Sequence, residues 1–189
     1  FEEFPYRTAL KFGGVVTTHC ILMNVAIDVE NGSGKTAEGF GSMPLGNAWS
    51  FPSKTVSFDE TLDAMVKLAE AIAARTAQDK DAAHPVDIMT RLEPEFLDLA
   101  DQVSRDLSLA DPIPKLCTLV TASPVDAALH DAYGKAAGIN SYDGLGADHM
   151  NHSLETYLNS EFEGEYLDQY TSRQPKSELP LYHLVGALD

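Results

Sequence analysis

A strand–turn–strand pattern between residues 15 and 40 constrains the fold of this chain more than any other feature. From Val15 to Val29 β-branched residues are frequent, and apolar side chains alternate with small or polar ones. This alternation has the two-residue period of a strand with one buried face. The Asn31–Gly34 sequence that follows tolerates positive φ, so Lys35 to Phe40 can return antiparallel to the first strand. We therefore predict a β-hairpin.

Helical periodicity follows the hairpin. Ser57 and Glu60 fit a capping box, which begins a predicted helix that ends near Arg75. Prolines then suggest two more helices, over residues 85–92 and 94–107, because proline fits the first turn of a helix. The first and the last of these helices each have one apolar face, and we expect them to cover a sheet.

The strongest helical signal lies later in the chain. Ser123-Pro124 is typical of a cap followed by the first helical residue, and Gly138 is typical of a helix end. Alanines along this helix permit a close approach of a neighbouring backbone. Residues 41–53 are predicted to form a loop whose apolar side chains pack on the protein, whereas residues 141–178 lose periodicity and become polar and acidic.

Composition limits the partners and the compartment. The formal net charge of −16 argues against nucleic acid and anionic membranes, which require clustered Lys and Arg. No apolar run reaches the roughly 18–20 residues that span a bilayer, so we expect no membrane segment. The two cysteines, Cys20 and Cys117, lie far apart, which favours a reducing, cytoplasmic location over a disulfide framework.

Two short motifs invite a chemical interpretation that their surroundings do not support. Gly34-Lys35-Thr36 resembles the end of a phosphate-binding loop, but Val29 stands where that motif requires a glycine, and a strand follows instead of a helix. Asp148, His149 and His152 offer metal-ligating atoms at short spacing, without a further ligand pattern to support them. We therefore predict a hairpin turn at the first motif and no metal site at the second.

The best helix carries no catalytic pair. His130 and Asp131 are adjacent and so point about 100° apart on a helix, whereas Asp131 and Lys135 are spaced for an i,i+4 ion pair. Nowhere does the sequence combine a nucleophile, a base and an oxyanion donor, or paired carboxylates. The chain alone is therefore predicted to have no catalytic residues and no activity.

The order of elements resembles the N-terminal capping domain of the enolase superfamily, in the mandelate racemase and muconate lactonising enzyme branch. The hairpin strand Val25–Val29, the segment Glu38–Gly41 and the helical block Ala122–Gly138 carry this resemblance. The block combines small residues, an Asp, a Lys one turn later and a terminal Gly, which looks like the signature of that branch. Leu179–Tyr182 with Gly186 looks like the first strand of its barrel.

The resemblance implies a two-part enzyme. Residues 1–146 would form an α+β capping domain with a three-stranded, meander-like antiparallel sheet and a helical bundle. Residues 147–178 would form a linking or covering segment. Residues 179–189 would begin a (β/α)₇β barrel, a TIM-like barrel that is truncated here. In the parent enzyme, Mg²⁺ on barrel carboxylates stabilises the anion formed when the proton α to a substrate carboxylate is removed. The family thus implies a lyase or isomerase, a dehydratase or racemase of hydroxy acids or sugar acids.

Two loops of such a cap select the substrate and exclude water. Residues 6–14 resemble the first loop and residues 41–52 the second. The side chains expected to face a small carboxylate substrate are Tyr6, Arg7, Lys11, Met43 and Trp49. The expected partners are the barrel of the same chain and further copies in a homo-oligomer, and no cofactor is expected on these 189 residues themselves. A different hypothesis is a stand-alone α+β binding or interaction module without catalysis.

Overall fold

The computed structural model describes residues 1–12, 14–172, 174 and 176–182. The described residues form three strands and four α-helices, which are β1 (Glu2–Phe12), β2 (Val15–Glu30), β3 (Thr36–Pro44), α1 (Asn47–Ser50), α2 (Phe58–Gln78), α3 (Pro85–Asp106) and α4 (Lys115–Ala137). The strands form one antiparallel sheet in the order β1-β2-β3. The predicted α+β class, with a three-stranded antiparallel meander and a set of helices, is confirmed.

The turn between β2 and β3 is built around one asparagine. The Asn31 side-chain oxygen accepts hydrogen bonds from the backbone N–H groups of Ser33 and Lys35, both at 3.0 Å. The turn sets the register, in which Glu30 lies opposite Thr36 and the ladder continues along both strands. The predicted hairpin is confirmed, and the glycine–lysine motif at residues 34–36 belongs to its turn and to the start of β3.

The first strand is longer than the sequence suggested. Glu2 lies opposite Leu22 on β2, and Phe12 lies opposite Val15, so the prediction of a loop over residues 6–14 is wrong. Residues 2–11 are exposed along the whole strand, and no alternation of buried and exposed positions marks it. The pairing shifts between Pro5 and Leu10, where β1 contains more residues than the facing part of β2.

Helix α3 runs through a proline that was predicted to separate two helices. Pro94 is exposed, so the Thr90 carbonyl that loses its helical partner there lies on a solvated face. The buried residues Leu92, Phe96 and Ala100 continue one stripe across this point. Burial of this stripe outweighs the local effect of the proline.

Helix α4 begins eight residues before the predicted start at Ser123. Pro124 has no N–H for the carbonyl of Val120, and the Ser123 hydroxyl donates a hydrogen bond to that carbonyl at 2.8 Å. Ser123 therefore repairs a break inside the helix and does not cap its end. The predicted end is confirmed, since Gly138 closes the helix with a φ of 74°.

Helix α4 lies directly on β3 through small residues. A Cβ atom added to Gly39 would lie 2.0 Å from the carbonyl oxygen of Ala128, and one added to Gly41 would lie 2.0 Å from that of Pro124. Real side chains cannot approach a backbone oxygen so closely, and only glycine permits this contact. At these two positions the strand and helix backbones therefore meet with no side chain of β3 between them.

The outer edge of β3 is also bound by α4. The Phe40 N–H donates to the Asp131 carboxylate at 2.9 Å, and the Lys135 ammonium donates to the Glu38 carbonyl at 3.0 Å. The Lys135 Nζ atom lies 2.7 Å from Oδ2 of Asp131, which confirms the predicted i,i+4 ion pair. The hydrogen bonds from Lys135 and from the Phe40 N–H lower the pKa of Asp131. An edge strand that would expose unpaired backbone groups is thus partly satisfied by two helical side chains.

The remaining helices pack on α4 and on each other. Helix α4 contacts β2 and β3, whereas α2 and α3 contact α4 and one another, so the sheet is covered mainly by α4 and not by the two helices predicted for that role. The core includes Met65 and Leu68 of α2 and Phe96 of α3. The prediction of a loop over residues 41–53 is wrong in part, because β3 continues to Pro44 and α1 spans Asn47–Ser50. Leu45 and Phe51 of this segment are buried in the core, which confirms for these two residues that apolar side chains of the segment pack on the protein.

The described residues from Tyr142 onwards belong to a second compact unit. Its described part consists of short 3-10 turns and bends. The Leu154 N–H donates to the Glu165 carbonyl at 2.8 Å, and the Asp168 N–H donates to the Leu145 carbonyl at 3.0 Å. These bonds fold the segment back on itself.

The predicted first barrel strand lies mainly outside the described residues, since residues 183–189 are not described. Residues 179–182 are described and are not in a strand. The boundaries predicted at residues 146 and 178 remain predictions.

The contact between β3 and α4 predicts a large effect of a single methyl group. Gly39→Ala should lower the free energy of unfolding by about 3 kcal/mol, because the new Cβ forces the two backbones apart. Urea unfolding measures this change. Gly32→Ala is the matched control, since a Cβ at Gly32 meets nothing within 4 Å, and should change stability by less than about 1 kcal/mol. Equal stability of the two variants would contradict the packing described here.

Candidate functional site

A cleft of about 420 Å³ lies where the turn between β1 and β2 meets the segment that connects β3 to α2. We call it the loop cleft and define it by its principal lining residues, Gly14, Val15, Ala48, Phe51, Lys54 and Thr61. Its volume lies in the range of small-molecule sites, which is roughly 300–1,000 Å³. The two sides of the cleft are more than thirty residues apart in sequence, and the hairpin brings them together.

Buried polar side chains hold the helical side of the loop cleft in place. Asn47 is only 3% exposed, and its amide nitrogen donates to the Phe58 carbonyl and to the Thr61 hydroxyl, both at 2.9 Å. These bonds join α1 to the first turn of α2. The predicted capping box of Ser57 and Glu60 is confirmed and fixes the start of the same helix. The wall of the cleft is therefore tied to a long helix.

A carboxylate outside the cleft anchors its loop. The hydroxyl groups of Ser53 and Thr55 donate to one oxygen of Asp111, at 2.5 and 2.6 Å. The Ser53 hydroxyl oxygen also accepts the backbone N–H of Val56 at 2.8 Å. The bonds from Ser53 and Thr55 lower the pKa of Asp111. Lys54 lies between the two anchored residues, so its backbone is held from both sides.

The lining is apolar with one positive charge. Among the described residues that line the loop cleft, Lys54 is the only charged one. Phe51 is buried, and Val15 and Ala48 add apolar surface. The described lining contains no histidine, cysteine or carboxylate, and thus no group suited to act as a general base at pH 7. The arrangement can bind and orient a small molecule but offers no proton acceptor of its own.

The five residues predicted to face a substrate are distributed over the sheet and α1. Tyr6 and Arg7 lie where the pairing of β1 with β2 shifts, and Lys11 lies opposite Val16 near the end of β1. Tyr6 is 37% exposed, and its partial burial, followed by a hydrogen bond with the Cys20 thiol, raises its pKa.

The other two predicted residues lie on the second segment. Met43 lies opposite Met23 and packs against the core. Trp49 is 41% exposed, and its indole ring lies over Gly46. None of the five is among the described residues that line the loop cleft, and their contact with a substrate remains a prediction.

Sequence reasoning missed Asn47, Lys54 and Asp111. The only local signal is the run of two hydroxyl residues around one lysine at positions 53–55. Their common acceptor, Asp111, lies 58 residues after Ser53. No periodicity or motif connects positions so far apart, so the arrangement emerges only from the fold.

A second groove, of about 360 Å³, lies between α3 and α4. Ser123, Asp126 and His130 line it and are the residue types of a catalytic triad. The Ser123 hydroxyl, however, donates to the Val120 carbonyl inside α4. His130 lies 3.7 Å from Asp126, and burial lowers its pKa. Because the serine faces the helix backbone and not the imidazole, this groove does not form a catalytic triad.

Two wider features follow from the described part of the chain. No group of three or more His, Cys, Asp or Glu side chains there could hold a metal ion, so the Mg²⁺ implied by the resemblance has no fitting site among these residues. None of the described helices has the length and apolar character needed to cross a membrane.

Comparisons with known proteins do not assign the chain to a family. No protein-family model, no curated protein and no solved structure matches it. The geometry of the loop cleft therefore carries the functional argument.

The anchoring of the cleft by Asp111 predicts a pH dependence. The folded-state pKa of Asp111 is lowered, so its stabilising effect is present above the ordinary pKa of about 4 and is lost as pH falls through the folded-state value. In thermal unfolding at pH 7, the wild-type protein should have a higher Tm than Asp111→Asn. This difference in Tm should shrink as the pH is lowered to about 2.5, which is below the ordinary pKa of about 4. Asp63→Asn, at an exposed position of α2, serves as the control. A difference that is constant with pH would contradict the proposed anchor.

Proposed function

We propose that this chain is the capping domain of a Mg²⁺-dependent enolase-superfamily enzyme, in the mandelate racemase and muconate lactonising enzyme branch. The parent enzyme would be a lyase or isomerase that removes the proton α to the carboxylate of a hydroxy acid or sugar acid. The observation that carries this proposal is the loop cleft, in which the β1–β2 turn and the segment after β3 face the same space. A cap that selects substrates requires two such segments to converge.

The helical block of the resemblance has a structural role consistent with this proposal. The block Ala122–Gly138 lies within α4 and its closing glycine, and its small residues contact Gly39 and Gly41. Asp131 and Lys135, the acidic and basic positions of the signature, bind the edge of β3. The resemblance and the packing thus concern the same residues, which supports the assignment to a capping domain.

The proposal divides the chemistry between two parts of one enzyme. This chain contributes apolar walls that exclude water and a positive side chain that orients the distal end of the substrate. The base and the metal ligands belong to the proposed barrel, since the described residues offer no cluster that fits a metal. Water exclusion strengthens electrostatic interactions at the reacting carbon. The unpaired state of Cys20 and Cys117 supports our proposal of a reducing, cytoplasmic compartment.

The test uses the parent protein. Incubation in D₂O with hydroxy acids and sugar acids, followed by ¹H NMR, should show loss of the α-proton signal in the presence of Mg²⁺ and no loss after EDTA treatment. A deletion that shortens residues 52–55 should change which acids exchange, because these residues line or anchor the loop cleft. A parent sequence without a barrel, combined with no exchange of any acid, would contradict the proposal and favour a stand-alone binding module.

The 189-residue chain itself should not respond to magnesium. Because its described residues contain no group that could hold a metal ion, millimolar Mg²⁺ should leave the Tm unchanged. NaCl at the same ionic strength, which takes about three times the molar concentration of MgCl₂, is the control for general screening of the acidic surface. A specific rise in Tm with Mg²⁺ would place a metal site on this chain, contrary to the proposed division of roles.

A further inference from the structure

We propose that Lys54 binds a carboxylate group of a small ligand in the loop cleft. This inference rests on the proposed function, and it implies that the substrate of the parent enzyme is a dicarboxylic acid. One carboxylate would lie next to the reacting carbon, and the second, at the far end, would contact Lys54. The class of substrate is thereby narrowed from small acids in general to diacids.

The first argument is that Lys54 lacks an internal partner. Within residues 1–12, 14–172, 174 and 176–182, its ammonium group forms no ion pair and no hydrogen bond. The carboxylate that anchors this loop, Asp111, accepts the hydroxyl groups of Ser53 and Thr55 instead. In a chain with 29 acidic and only 13 basic residues, a lysine left without a carboxylate at a cleft is available for an external anion.

The second argument is the placement of Lys54. Both flanking side chains are bound to Asp111, and the N–H groups of Thr55 and Val56 donate to the Ser53 hydroxyl oxygen, at 3.0 and 2.8 Å. The backbone of Lys54 is therefore ordered before any ligand arrives. A preorganised loop reduces the entropy that binding would otherwise cost.

The third argument selects a carboxylate. The described lining contains one cation and no other charge, which matches a group with a single negative charge. A phosphate ester carries up to two negative charges and usually requires several donors or cations. The net charge of −16 further disfavours polyanionic ligands. The volume of about 420 Å³ accommodates a small organic acid.

Glutarate is the probe for the 189-residue chain. Titration with ¹⁵N-resolved NMR of the lysine ammonium groups should give a saturable shift of the Lys54 signal, with a Kd on the millimolar scale of a weak single-site complex. Lys54→Gln should weaken glutarate binding by about two- to fivefold, because an ion pair of the exposed Lys54 contributes about 0.5–1 kcal/mol. Lys67→Gln is the matched control, because Lys67 is exposed on α2 and outside the cleft.

Two outcomes of the titration would overturn the proposal. One is equal glutarate affinity of Lys54→Gln and wild type. The other is no saturable shift of Lys54 up to about 50 mM glutarate, far above the millimolar scale of a weak complex. Glutaramide, the neutral analogue, should also bind about two- to fivefold more weakly than glutarate if the charge is what Lys54 recognises.

Kinetics of the parent enzyme distinguish this inference from the proposed function. Lys54→Gln should raise KM for a diacid substrate by about two- to fivefold and leave KM for a monocarboxylic analogue unchanged. Mg²⁺-dependent exchange with no effect of Lys54→Gln on either substrate would overturn the role of Lys54 and keep the proposed function. Glutarate binding at Lys54 in a parent without Mg²⁺-dependent exchange would keep the carboxylate site and contradict the proposed function.

Discussion

The backbone contact between β3 and α4 is the constraint on which the first unit depends. Gly39 and Gly41 leave the strand surface open, and Ala128, Ala132 and Pro124 of the helix fill it. Because no β3 side chain separates the two elements at these two positions, the glycines fix the depth of α4 on the sheet. Helices α2 and α3 pack on α4, so their positions follow from this contact.

The loop cleft is a consequence of the same arrangement. The Leu45 N–H donates to the Ile21 carbonyl at 2.8 Å, which continues the β2–β3 pairing to the beginning of α1. Asn47 then ties α1 to α2, and Asp111, just before α4, anchors the loop that carries Lys54. Side-chain hydrogen bonds thus connect the cleft to elements whose positions the core has already fixed. A cleft held in this way keeps the backbone of Lys54 in a defined place.

Local sequence signals predict those elements whose causes are local. The hairpin, the Ser57 capping box and the ion pair of Asp131 with Lys135 each depend on residues a few positions apart, and each is confirmed. The predicted bounds are wrong for elements that depend on contacts between residues distant in sequence. Helices α3 and α4 continue across Pro94 and Pro124 because buried residues lie before and after each proline, although the local rule places a helix boundary there. Residues 2–11 of β1 are exposed on both faces, so no alternation of buried and exposed side chains marks the strand. The cleft joins residues that no local pattern relates.

Native-state hydrogen exchange of the Phe40 amide tests the central contact most directly. This N–H points away from β2 and towards the Asp131 carboxylate, so it is protected only if α4 lies where we describe it. We predict protection comparable with that of the Gly39 and Gly41 amides, which face β2 in the alternating antiparallel pattern. Exchange of Phe40 at the rate of an unprotected edge amide, with the Gly39 and Gly41 amides still protected, would contradict the account.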